Sequence, residues 1–227
     1  MSSPPTVAMI HTSPTMVPVF KPLAGELLPA GTSSFNVVDE SLLRDIIRDG
    51  RCEPATAQRV VGHVLSAVSA GADVVLVTCS SIGRAVEAAR PLTSAIVLRV
   101  DERMADRAVA AGSRIGVIAT LPSTLEPTVA LIRDRAALAG RSASVEPVLV
   151  EGAFPAVIAG DGATHDRLVG AALADLAKRV DVVVLAQASM ARVVDSLDAS
   201  QKPVPVLSSP RLAMERVAEV VRERSNG

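Results

Sequence analysis

The sequence predicts an α/β fold: two pseudo-symmetric, parallel-sheet lobes produced by an internal duplication. Three observations lead there. Short Val- and Ile-rich runs alternate with stretches of helical spacing through the 227 residues, the pattern of parallel strands covered on both faces. Two of those runs, VVLVTCSSIG (74–83) and VVVLAQASMA (182–191), share one shape, an apolar run that turns polar at once. Asp73-Val74-Val75 and Asp181-Val182-Val183 also lie 108 residues apart (181 − 73).

That offset extends outward in both directions. AMIHTSPT (8–15) falls on GVIATLPS (116–123), and ATAQRVVG (55–62) falls on ATHDRLVG (163–170). Ser81 meets Ser189, Arg84 meets Arg192, and AIVLRV (95–100) meets PVPVLS (203–208). One register through strands, helices and turns, with no gap, marks a duplication. The match is weakest between 16–54 and 124–162.

Each half then reads β-α-β-α-β-α-β. Strands are expected at 6–12, 35–39, 73–78 and 95–100, and at 114–120, 144–150, 181–186 and 204–208. Helical spacing fits 41–48, 55–70, 83–89, 104–111, 125–139, 164–178, 190–196 and 212–224. KPLAGELLPAGTSS (21–34) is rich in Gly, Pro and small residues, so it reads as a connection able to fold over a site as a lid, with Lys21 available to an anion. Residues 1–103 with 209–227 form the first lobe and 104–208 the second. Ligands in such sheets bind beyond the carboxyl ends of the strands. A duplication is expected to bring the two sets of ends together across a cleft.

Composition narrows the function. Net charge is −1 with both signs interspersed, which provides no basic stripe for nucleic acid. There is no Trp or Tyr and there are three Phe, so no platform for stacking bases. Two cysteines do not make a disulfide framework. The start has neither a basic region nor a long apolar run, and no stretch reaches the ~20 apolar residues that span a bilayer. A reducing, cytoplasmic setting without membrane contact is expected. Three scattered His and two Cys show no metal-ligand spacing, and no Gly-rich phosphate loop follows a strand. No metal, nucleotide or flavin is expected.

Polar residues gather at the predicted strand ends. In the first half these are His11, Thr12 and Ser13, then Cys79, Ser80 and Ser81; in the second, Thr120, Ser123 and Thr124, then Gln187, Ala188 and Ser189, with Ser208 and Ser209 beyond. Hydroxyls and free N–H groups at helix starts suit a small carboxylate. Cys79 stands where a strand stops and a helix begins, a position expected to favour the thiolate. Cys52, in the polar turn RDGRCEPA, reads as structural. His11 ends the first strand and is expected to face the site. His63 and His165 read as structural or solvated.

AMIHTSPT, VVLVTCSSIG, RIGVIATLPST, VVVLAQASMA and PVPVLSSPRLAMERV together resemble the aspartate/glutamate/hydantoin racemase superfamily, over nearly the whole chain. The resemblance implies two pseudo-symmetric lobes with the active site between them, a C-terminal helix packed on the first lobe, and cofactor-free chemistry. It also admits a homodimer. In such racemases each lobe supplies one cysteine: one thiolate removes the proton α to a carboxylate or carbonyl, and the other thiol returns a proton to the opposite face. Cys79 matches the first position, whereas Gln187 occupies the second. A neutral amide does not titrate near pH 7, so it is neither acid nor base. His11 could replace the missing base, although it comes from the same lobe as Cys79.

Three readings follow. One is a cofactor-independent isomerase acting α to the carboxylate of a small acid, with Cys79 as proton carrier or nucleophile and His11 as its partner. The second is a one-thiol decarboxylase of the malonate type. The third is a non-catalytic binder of a small acid. In each, Thr12, Ser13, Ser80, Ser81, Thr120, Ser123, Thr124, Gln187, Ala188 and Ser189 are the expected substrate-binding groups.

Overall fold

The computed structural model describes residues 4–191, 193 and 203–225. The chain divides into two units, Met1–Val100 with Pro210–Gly227, and Asp101–Ser209. Each contains a four-stranded sheet whose strands are all parallel.

In the first unit, β1 (Thr6–His11), β2 (Ser33–Val38), β3 (Val74–Val77) and β4 (Ile96–Arg99) lie in the order β2-β1-β3-β4. β3 is Val-Val-Leu-Val and buried throughout, as expected of a central parallel strand. β2 lies at the edge and alternates between half-buried and exposed residues. One face of the sheet carries α2 (Glu40–Asp49), α3 (Pro54–Ser69) and α4 (Gly83–Ala89), whose apolar side chains pack on Ala8, Ile10, Val75, Val77 and Val97. The other carries α1 (Val17–Leu27) and the C-terminal helix Ser209–Ser225, packed on Val7, Met9, Val74 and Leu76. The C-terminal helix therefore covers the first sheet.

Local chemistry sets the boundaries. Asp39 caps α2 by accepting from the Ser41 N–H, and Gly50, at φ 74°, closes it in the left-handed conformation. α1 overlaps the segment expected to be a lid over residues 21–27. Its Pro18 and Pro22 look like loop residues in sequence, but Phe20 and Ala24 are buried against the sheet and hold the turns in place. The segment is thus a helix followed by a short turn into β2.

The second unit contains α5 (Glu102–Ala111), β5 (Arg114–Ala119), α6 (Pro122–Leu138), β6 (Ser144–Leu149), α7 (Ala153–Ile158), α8 (Gly162–Leu176), β7 (Val182–Leu185) and β8 (Val206–Ser208). The order β6-β5-β7-β8 repeats the first sheet. Thr6 and Arg114 open the first strands and Val74 and Val182 the third, both at an offset of 108 (114 − 6 and 182 − 74). The gap-free register does not hold everywhere, however. Thr6 pairs with Ser33 but Arg114 with Ser144, an offset of 111 (144 − 33) for the second strand. Val77 pairs with Arg99 but Leu185 with Ser208, an offset of 109 (208 − 99) for the fourth. The additions fall in connecting segments, where extra length costs little. The helix expected at 190–196 runs mostly outside the described residues, as does Arg192.

The repeated Asp-Val-Val has a structural cause. Asp73 accepts from the Thr6 N–H at 2.9 Å and Asp181 from the Arg114 N–H at 2.8 Å, so each carboxylate satisfies the start of its neighbouring strand. Arg114 also donates two side-chain bonds to Asp181 and holds its pKa down at about 2. Among the described residues, no helix is long and apolar enough to cross a membrane.

Candidate functional site

β3 ends at Val77, and alternation continues through the next two residues. Thr78 projects toward the α1 face, whereas Cys79 packs against the cluster under α2, α3 and α4. A 3-10 turn, Ser80–Ile82, then leads into α4. This turn curls its polar groups around the sulfur. The Thr12 hydroxyl, the N–H and hydroxyl of Ser81 and the N–H of Ile82 all serve as donors to Cys79. Thr12, Ser80 and Ser81 are buried, and Cys79 is half-buried.

Burial pushes the Cys79 thiol above its ordinary value, and the four donors pull it back only partly. The expectation of a lowered pKa fails because the helix that follows does not begin at the cysteine. Its seven residues start four positions later, after the 3-10 turn, and removal from water outweighs the local dipoles. The thiol is therefore protonated at neutral pH in the free protein.

His11 leaves the sheet on the other face. Its ring lies 5.7 Å from that of Phe20 on α1. Nδ1 meets Thr78 Oγ1 at 2.8 Å and Nε2 meets the Asn36 side chain at 2.8 Å. Burial lowers the pKa of His11, with the Asn36 bond partly offsetting it. With no exposed surface and both nitrogens engaged, His11 braces the ends of β1, β2 and β3. Ser13 caps the 3-10 turn Pro14–Met16, accepting from the Thr15 N–H. His63 bonds Asp39, and His165 is buried against Asp166. Cys52 packs on the same cluster as Cys79, with burial raising its pKa.

Arg99 closes β4 and is a further group at this edge. Alternation places it on the face of Val97, the face of Cys79. It is 5% exposed and pairs with Glu87. Its guanidinium occupies the space above Gly83 that a Cβ would fill. A lone basic residue at the polar end of an apolar strand, IVLR, is the signal that identifies it.

The second unit repeats the layout with different chemistry. Thr120 and Gln187 stand 108 residues beyond Thr12 and Cys79 (120 − 12 and 187 − 79). Gln187 Oε1 accepts from the Thr120 N–H at 2.6 Å and from its hydroxyl at 2.9 Å. A backbone N–H can only donate, so the atom it meets is the amide oxygen, and the NH₂ end is directed elsewhere. Among the described residues nothing engages that NH₂ group. Ser123 and Thr124 are buried in the first turn of α6. Ala188 lies in the 3-10 turn Ala188–Met190, equivalent to Ser80–Ile82. The Ser189 side chain lies outside the described groups. Among the described residues no cluster of three His, Cys, Asp or Glu could hold a metal.

The sequence profile of the Asp/Glu/Hydantoin racemase family matches residues 7–217. No curated protein matches the sequence. Solved structures of similar fold include a glutamate racemase from Francisella tularensis in complex with D-glutamate, with a TM-score of 0.75, 14% identity, and coverage of 99% of this chain and 83% of that one. They also include an aspartate racemase from Picrophilus torridus (TM-score 0.72, 12% identity, 96% and 94% coverage). A third is an allantoin racemase from Pseudomonas fluorescens (TM-score 0.66, 19% identity, 97% and 92% coverage).

Proposed function

The chain belongs to the Asp/Glu/hydantoin racemase family, and from that premise we propose that it is a cofactor-independent isomerase acting α to the carboxylate of a small acid, with Cys79 as its proton carrier. The observation that carries the reading is the pairing of Cys79 with Thr12 at the place where the second unit pairs Gln187 with Thr120. The strand ends thus supply one thiol and one amide, and only the thiol can exchange a proton.

In this reaction the Cys79 thiol first gives its proton to solvent; the thiolate then takes the α-proton, and the C–H electron pair moves into the carboxylate to give an enediolate. The thiol then returns a proton to the same carbon. Donors already in place meet the developing charge without reorganising. Thr12, Ser81 and the Ile82 N–H steady the thiolate. With one thiol, return from the face of removal restores the starting configuration. Inversion therefore needs a proton from water, and hydrogen exchange outruns it.

A second reading is a lyase. Burial favours the neutral Cys79 thiol, the form that can protonate a carbanion: the bond from Cα to a carboxylate breaks, CO₂ leaves, and the carbanion takes the thiol proton. Aspartate, glutamate, hydantoins, aryl malonates and maleate, each followed by chiral analysis and CO₂ release, separate the two. Inversion without CO₂ supports the isomerase, and CO₂ release supports the lyase. Turnover that survives Cys79→Ala contradicts both.

A further inference from the structure

On the α1 face of the first sheet, opposite Cys79, lies a cavity of about 500 Å³ open to solvent. Met9, Ala24 and Leu28 form its apolar wall. Its polar wall is Lys21, Thr32, Ser34 and Asn36. Three features set it apart from a surface crease. The Thr32 hydroxyl oxygen is buried with no hydrogen-bond partner, a costly condition in a folded protein. Lys21 pairs with no carboxylate among the described residues. No acidic residue lines the cavity, and among the lining residues Lys21 alone carries a charge.

We propose that this cavity is a second binding site, for a small carboxylate bearing a short aliphatic tail. The carboxylate meets Lys21 and accepts a hydrogen bond from the Thr32 hydroxyl, with Ser34 and Asn36 at hand, while the tail lies on Met9, Ala24 and Leu28. The volume lies within the range of small-molecule pockets, which pair apolar walls with a few placed polar groups. Occupancy is felt beyond the cavity. Asn36 is also the partner of His11 Nε2, and His11 Nδ1 holds Thr78, the residue before Cys79. The site stands on the first unit alone and does not draw on the reaction proposed above.

Isovalerate is the probe, titrated into the full chain while the imidazole nitrogens of the three histidines are followed by NMR. The expected result is a saturable shift of the His11 ring signals with those of His63 and His165 unmoved. Lys21→Gln, at an exposed position, weakens binding by about tenfold, and isoamyl alcohol, which lacks the charge, binds correspondingly less well. Thr32→Val weakens isovalerate binding yet leaves the free protein as stable or more so, because it removes an unsatisfied hydroxyl. Cys79→Ser leaves the affinity unchanged, whether or not Cys79 proves catalytic. A shift that never saturates overturns the proposal. So does affinity indifferent to Lys21→Gln, or affinity lost with Cys79→Ser, which would place the ligand at the thiol instead.

Discussion

Thr120 gives both its N–H and its hydroxyl to Gln187 Oε1, at 2.6 and 2.9 Å. At the equivalent place in the first unit the Thr12 hydroxyl meets the sulfur of Cys79. The duplication thus kept a threonine that donates at the end of the central strand, and changed what it donates to. The amide is locked with its oxygen inward, so it has no route to acid–base work.

Gln187→Cys restores a thiol where Thr120 already offers two donors. We expect inversion to rise relative to hydrogen exchange, since a second acid then becomes available. Chiral chromatography set against deuterium incorporation measures the ratio. An unchanged ratio in a folded variant would show that a second thiol here does not reach the substrate.

Alkylation of Cys79 by iodoacetamide, in a Cys52→Ser background, should be slow at neutral pH and accelerate as pH rises past the ordinary thiol range. Burial raises the pKa and four donors oppose it. Removing one donor with Thr12→Val should raise it further. A hydrogen bond to a charged group contributes about 1.5–3 kcal/mol. At fixed pH the rate then falls roughly tenfold or more. Peptide mass spectrometry against time gives the rates, and faster alkylation in Thr12→Val would reverse the assignment of that hydroxyl.

Much of this was legible in the sequence because strands and helices carry different periods. The Val runs marked both central strands, and the offset between Asp73 and Asp181 tied the two units together. What escaped depends on packing in three dimensions. Pro18, Pro22 and Gly25 make α1 look like a loop until Phe20 and Ala24 find the sheet. The three-residue slip between β2 and β6 is hidden because edge strands and loops tolerate insertions. Cys79 was visible as the polar stop of an apolar run, but the rise in its pKa was not, because dipoles are local in sequence and desolvation is not. His11 could be placed at a strand end, yet only alternation in the folded sheet sends it to the face opposite Cys79.

Gly83→Ala should cost stability, about 1–3 kcal/mol, because the new methyl takes the space of the buried Arg99 guanidinium. Gly62→Ala is the contrast. Gly62 lies inside α3 with nothing near its missing Cβ, so alanine should stabilise by about 0.5–1 kcal/mol. Denaturant titration of both checks the pair. Equal effects would mean that Arg99 moves aside freely.

Asp39 ties α2 to α3. It accepts from the Ser41 N–H at 3.0 Å, from Arg59 at 2.6 Å and from His63 at 2.8 Å. Burial pushes its carboxyl up, but the bonds from Ser41, His63 and Arg59 outweigh it and hold the pKa far below the usual range. Its contribution is therefore present above the unfolded carboxylate value of about 4 and is lost as pH falls through the lower folded value. Asp39→Ala should destabilise by about 1–2 kcal/mol at neutral pH, and the difference from wild type should shrink in strong acid. Urea midpoints across the acid range measure it. A difference that grows as pH falls would contradict the assignment.

Proton NMR in D₂O, with a panel of small acids and Cys79→Ala alongside wild type, tests whether Cys79 carries the proton. Deuterium is expected to enter at the α-carbon of one acid, faster than that carbon inverts, with no incorporation in Cys79→Ala. Incorporation that persists in Cys79→Ala, or inversion that keeps pace with exchange in the wild type, would contradict a single-thiol proton carrier.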